Sequence, residues 1–233
     1  MNTPKVDRQT ISAVDSTKPD NAHFTDLRKV SYPIPGLLLY KDYIPVESEK
    51  ALSEMLDAQP WKQERRGLVQ NYGYVFNYKA AAIGNFDRIT PIPDFLADIG
   101  ARLVVDRFFP RAPECIIVNN YEPGQGIVPH IDVIEHFGAQ VVTLSLLSPI
   151  RMLFMNDEER KDRFEIALPA RSLLSINDEA RFKWLHGIRA RKTDEIDGVI
   201  VKRERRISIS FRNVKEEYLN HSESELFAKP CDF

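Results

Sequence analysis

The chain has 233 residues, enough to bury one substantial core and more in keeping with a single elaborated domain than with two. With 32 Lys and Arg against 34 Asp and Glu, the net charge of −2 gives no global basic field of the kind that marks a general nucleic-acid binder. Its two cysteines, Cys115 and Cys231, lie too far apart for a redox or metal pair and argue against a disulfide framework, and no apolar run can span a bilayer or serve as a signal-peptide core, so a soluble, cytoplasmic protein is expected.

Residues 1–30 are polar and irregular and read as a flexible arm. One domain is expected over 31–215, with helices and a lid at 31–114, a β core at 115–215, and a tail at 216–233. The apolar run 34–40 predicts a strand. Pro45 then opens a helix with Leu52, Met55 and Leu56 on one face, and a second helix follows Pro93 with Phe95, Leu96, Ile99 and Leu103 at helical spacing. Both stripes read as core contacts. Between them, 65–78 interleaves basic, amide and aromatic residues in a hairpin pattern. Such a segment suits stacking on a base and gripping its phosphates, and equally suits an ordinary aromatic strand pair.

From Cys115 onward, short strands are expected at 115–121, 140–146, 151–155, 164–168, 171–176, 184–186 and 206–213, separated by Gly, Pro, Asn or charged turns and with no helical period among them. Strands closing without crossover helices predict a mainly β fold with flanking helices, a double-stranded β-helix or jelly roll that can enclose a ligand at its mouth. Basic clusters at 62–66, 160–163, 189–192 and 202–206 read as solvated loops.

Two features of this core carry chemistry. His130-Ile131-Asp132, with His186 on a later strand, offers two imidazoles and one carboxylate and leaves coordination positions open, the donor set of non-haem Fe(II) oxygenases. Alone it is a weak signal, because a strand histidine is more often a hydrogen-bonded core residue. The second feature is 206–212, where period-two alternation puts Ile207, Ile209 and Phe211 on one face and Arg206, Ser208, Ser210 and Arg212 on the other. Two guanidinium forks on one face suit a ligand with a carboxylate at each end, such as 2-oxoglutarate. The polar stretch 187–205 is expected as a loop beside this metal site. Two other readings stay open: a zinc hydrolase, which has no use for two inward arginines and only Glu135 as a nearby base, and a non-catalytic jelly-roll binding module, which predicts a disrupted residue set.

The ordered set Asn119-Asn-Tyr-Glu-Pro-Gly-Gln-Gly-Ile-Val-Pro-His-Ile-Asp132, Thr143-Leu-Ser-Leu, Leu173-Leu-Ser-Ile, Trp184-Leu-His-Gly187 and Arg206 through Arg212 resembles the AlkB-type Fe(II)/2-oxoglutarate dioxygenases over roughly 36–215. Within that family it is most similar to the AlkB-like domain of the eukaryotic tRNA wobble-uridine hydroxylase, through Asn-x-Tyr-Glu-Pro-Gly-Gln-Gly-Ile and Trp-x-His-Gly-Ile. The resemblance implies Fe(II), 2-oxoglutarate and dioxygen as cofactor and cosubstrates. It implies His130, Asp132 and His186 as iron ligands, and Asn119, Tyr121, Arg206 and Arg212 as 2-oxoglutarate contacts. It also implies a helix and hairpin lid in which Tyr72 and Tyr74 stack on or flank a base while Arg65 and Arg66 hold phosphates. The expected activity is hydroxylation or oxidative demethylation of a modified base in RNA or DNA by a monomer, with a protein or small metabolite as the alternative substrate. One departure from the family's DNA-repair members is Ile134, where they carry a carboxylate; Glu135 has that chemistry one residue on, in a register expected to face away.

Overall fold

The computed structural model describes residues 28–64, 67–76 and 86–219. In chain order the elements are β1 Arg28–Ser31, β2 Leu37–Lys41, α1 Val46–Asp57, β3 Lys62–Glu64, β4 Gly67–Phe76, β5 Phe86–Thr90 and α2 Asp94–Val105. Then follow β6 Cys115–Tyr121, β7 Ile127–His130, β8 Phe137–Leu147, β9 Ile150–Asn156, β10 Arg163–Leu168, β11 Leu173–Ile176, α3 Asp178–Phe182 and β12 Trp184–Ile188. The remainder are β13 Thr193–Ile196, β14 Val199–Lys202, β15 Arg206–Val214 and α4 Glu216–Leu219.

Among the described residues, a nine-stranded sheet runs β1-β2-β11-β8-β15-β6-β4-β3, with β5 pairing β4, and a four-stranded sheet runs β10-β9-β12-β7. Period-two side chains explain the layering. Ile207, Ile209 and Phe211 of β15, with Val142, Leu144 and Leu146 of β8, pack outward against Leu52 and Leu56 of α1 and Leu96 and Leu103 of α2. Leu174 and Ile176 of β11 and Leu37 and Leu39 of β2 turn the other way, onto Ile150, Met152 and Phe154 of β9 and Trp184 of β12. The result is a helix layer, a large sheet and a small sheet: the expected jelly roll with flanking helices. Strands from before Cys115 belong to the large sheet, so the division at 114 does not separate a lid from a core. No helix among the described residues is long and apolar enough to cross a membrane.

Several local expectations change. The arm at 1–30 ends in β1, which pairs with β2 from Arg28 onward, and residues 1–27 lie outside the described ones. In α1, Met55 is 38% exposed, and the third inner position belongs to Glu49, whose carboxylate accepts the Leu147 N–H and pairs with Arg171. A satisfied carboxylate can be buried, and here it displaces the apolar residue at the stripe's edge. A short helix, α3, stands between two strands where a charged turn was expected.

The stretch 187–205 lies beside the site, as expected, only where Gly187 and Ile188 complete β12, and it is not one loop. It contains the β13–β14 hairpin, turned by Asp197 and Gly198, both at positive φ, the geometry a two-residue hairpin turn requires. Its Asp194 accepts from Arg203, Arg191 and the Arg151 backbone, and Arg151 reaches the Glu195 carbonyl. These contacts hold the hairpin at the start of β9.

Candidate active site

His130 ends β7 and His186 sits in β12, and the two residues are directly opposite partners across that antiparallel pair, with ring centroids 4.6 Å apart. Gly187 follows His186 where the β7–β12 register shifts, and a Cβ there would meet the Pro129 backbone nitrogen at 2.7 Å. Only glycine lets the two ligand-bearing strands approach this closely. Asp132 lies two residues past His130, just beyond the strand. The candidate ligand atoms of His130, Asp132 and His186 all lie within 4.8 Å of one another, so the three residues could hold one metal ion.

The surroundings prepare each donor. The Nδ1–H of His130 donates to the Val128 carbonyl at 2.9 Å, which leaves the Nε2 lone pair free and 3.6 Å from Asp132 Oδ1. Arg212 donates from both Nε and Nη2 to Asp132 Oδ2, at 3.1 and 3.0 Å, so the other carboxylate oxygen faces the histidines. Burial alone would raise the Asp132 carboxyl, but the Arg212 charge beside it holds it well below the usual carboxylate range. Burial pushes His186 down to about 4, keeping its imidazole neutral and able to donate a lone pair at ordinary pH.

One pocket between the two sheets is lined by all seven residues expected to bind metal or cosubstrate, His130, Asp132, His186, Asn119, Tyr121, Arg206 and Arg212. Asn119 and Tyr121 come from one face of β6, and Arg206 and Arg212 from one face of the adjacent β15. Met152, Leu174, Ile176 and Ile188 supply apolar wall. Arg206 is 2% exposed, lies 5.4 Å from the Tyr121 ring centroid, and donates one bond, from Nη2 to Ser145 Oγ at 2.7 Å. Its Nε and Nη1 have no hydrogen-bond partner among the described residues, and burial lowers it to about 10. A buried guanidinium with idle donors is costly unless an anion meets it.

The expected substrate contacts fare unevenly. Arg65 and Arg66 lie outside the described residues. Tyr72 is corrected: β4 pairs with β6 so that Tyr72 is opposite Ile116, on the helix face of the sheet, while Val69 is opposite Asn119 on the pocket face. Its ring packs against the helix-layer core and its hydroxyl donates to Gln70. Gly73, at φ +71, interrupts the alternation, and Tyr74 packs instead against the cluster of Cys115, Phe137 and Val214, with Arg212 lying over the Phe137 ring. Glu135 is exposed in a turn at 134–136, so the strand-register argument that turned it away from Ile134's side does not apply.

Sequence reasoning missed Ser145, the hydroxyl partner of Arg206, and Arg181, whose guanidinium holds the backbone of the Asp132 segment. Ser145 shares a face with Thr143 by period-two spacing, a usable signal. Nothing in the sequence marked Arg181. The basic clusters turn out largely self-neutralised: Arg189 and Arg191 pair with Glu165, Arg203 with Asp194, Arg205 with Asp57 and Arg160 with Asp157.

Comparison with known proteins agrees with this geometry. A family model described as the 2OG-Fe(II) oxygenase superfamily matches residues 36–212. Uncharacterized protein L905 of Acanthamoeba polyphaga mimivirus is 35% identical over 189 residues, spanning 80% of this chain and 88% of that protein. The tRNA (carboxymethyluridine(34)-5-O)-methyltransferase ALKBH8 of Macaca fascicularis is 33% identical over 230 residues, spanning 87% of this chain but only 34% of that protein's length. The solved structure of OsALKBH1 shares the fold, with a TM-score of 0.61 at 16% identity over 78% of this chain and 99% of that one.

Proposed function

The chain belongs to the 2OG-Fe(II) oxygenase superfamily, and from that premise we propose that His130, Asp132 and His186 hold its Fe(II), that Arg206, Arg212, Asn119 and Tyr121 receive 2-oxoglutarate, and that the substrate is a modified nucleobase in RNA or DNA. Bound iron, with 2-oxoglutarate and dioxygen, supplies the oxidising chemistry: one oxygen atom goes into a substrate C–H bond and the other into succinate, with release of CO2.

The protein's own part is positioning. The observation that carries the cosubstrate assignment is Arg206, a buried charge lining the pocket with Nε and Nη1 unmatched among the described residues. A dicarboxylate entering between the sheets brings the oxygens those groups lack, and its length leads back along β15 towards Arg212 and the triad. Arg212 holds Asp132 by one oxygen, leaving the other for the metal. Met152, Leu174, Ile176 and Ile188 keep water from the space between. A zinc hydrolase leaves Arg206 without a purpose.

The nucleobase reading rests on less. ALKBH8 carries a tRNA uridine in its name, and Tyr74 packs against the cluster containing Phe137, the ring over which Arg212 lies. Because so many arginines are already paired, recognition falls to the base and its modification more than to phosphate attraction. The test is succinate release with Fe(II) and 2-oxoglutarate in the presence of single-stranded RNA or DNA bearing modified bases, the same oligonucleotides unmodified, or peptides. Stimulation by a modified oligonucleotide is expected. Stimulation by peptides alone overturns the nucleobase reading and leaves the dioxygenase intact.

A further inference from the structure

Arg181 of α3 is 2% exposed, and its guanidinium spends two donors on two consecutive backbone carbonyls: Nη1 to Asp132 at 2.8 Å and Nη2 to Val133 at 3.1 Å. Those carbonyls belong to the non-strand segment between β7 and the turn at 134–136, so no sheet ladder fixes the backbone that carries the Asp132 carboxylate. Side-chain donors must do it. The ring of Phe182 lies 5.5 Å from the Arg181 guanidinium carbon. The helix is itself tied down, since the Ala180 N–H donates to the Pro35 carbonyl and the Asn177 N–H to the Gly36 carbonyl. Five residues after Arg181 in the sequence comes His186, on the strand that α3 leads into.

We propose that Arg181 is a positioning residue for the metal centre: it fixes the main chain of Asp132 relative to His186, holding two ligands from separate chain segments in one frame. It touches neither ligand atom, and acts only through the carbonyls. The inference rests on the assignment of His130, Asp132 and His186 as ligands. Arg212 and Arg181 then divide one task, Arg212 orienting the carboxylate and Arg181 the backbone beneath it. Partners beyond the ligands of a metal site commonly change metal affinity ten- to a hundredfold when removed.

The experiment is Co(II) titration of the metal-free protein, followed by the visible absorption of the bound ion and by calorimetry, on the parent, Arg181→Met, Arg181→Lys and Arg111→Met. Arg111 is the control, a guanidinium that likewise donates to a backbone carbonyl, Val214, and does not line the pocket that holds the triad. Co(II) affinity should fall about ten- to a hundredfold in Arg181→Met with a changed absorption band, fall less in Arg181→Lys, which keeps a charged donor, and stay at the parent value in Arg111→Met whatever that variant loses in Tm. Parent affinity and spectrum in Arg181→Met overturn the inference, as does an equal loss in Arg111→Met. Should Arg181→Met fail to fold, Arg181→Lys decides, and an unchanged affinity there refutes the role. If the parent itself binds no Co(II) and His130→Ala changes nothing, it is the ligand assignment that fails.

Discussion

Arg206 brings a charge into the interior with one hydrogen-bond partner, Ser145, among the described residues, and that imbalance can be tested without any knowledge of the substrate. Replacing a buried, incompletely paired charge with an apolar side chain of similar volume is often neutral or stabilising. Arg206→Met is therefore expected to keep or raise the Tm of the protein free of 2-oxoglutarate, while its KM for 2-oxoglutarate rises about tenfold or more, as loss of hydrogen bonds to a charged group worth about 1.5 to 3 kcal/mol requires. Calorimetry and a cosubstrate titration check both halves. A lowered Tm with an unchanged KM would make Arg206 a structural strut. At this scale much was legible, because HxD spacing and the alternation of 206–212 are local patterns that a strand converts directly into a shared face. Arg181 was not, since its role depends on α3 folding back over the Asp132 segment, a contact no spacing encodes.

Strand β4 shows how an element can carry a sound pattern and still mislead. Counting by twos puts Tyr72 and Tyr74 together, but the left-handed Gly73 breaks the count, sending Tyr72 to the helix layer and Tyr74 towards Phe137 and Tyr218. Tyr72→Ala should accordingly destabilise the fold by about 2 kcal/mol, as truncating a partly buried aromatic does, and leave affinity for a modified oligonucleotide unchanged. Tyr74→Ala should weaken that affinity about tenfold, as loss of a stacked base does. Urea unfolding with fluorescence anisotropy binding separates the two, and the opposite assignment of effects would restore the simple alternation. The β13–β14 hairpin was missed for a related reason. Asp197-Gly198 is a strong turn signal, but the charged residues around it hid the pairing, which depends on Asp194 being captured by Arg203 and Arg191.

Across the whole molecule, one architecture accounts for both stability and site. The large sheet packs its apolar side on two helices and turns a polar-lined side towards the small sheet, so residues distant in sequence, Asn119, His186 and Arg212, meet in one pocket. The class of fold was readable from regularly spaced strands, whereas the recruitment of β1 to β5 into the large sheet was not, because edge pairings of this kind are set by register and not by local composition. The central claim is that the pocket binds iron through its triad and turns over 2-oxoglutarate there. The most direct measurement is Fe(II)-dependent conversion of 2-oxoglutarate to succinate by the parent and by Asp132→Ala, with circular dichroism confirming that both are folded. The account predicts succinate from the parent and loss of at least a hundredfold in the variant; turnover by folded Asp132→Ala at the parent rate would contradict it.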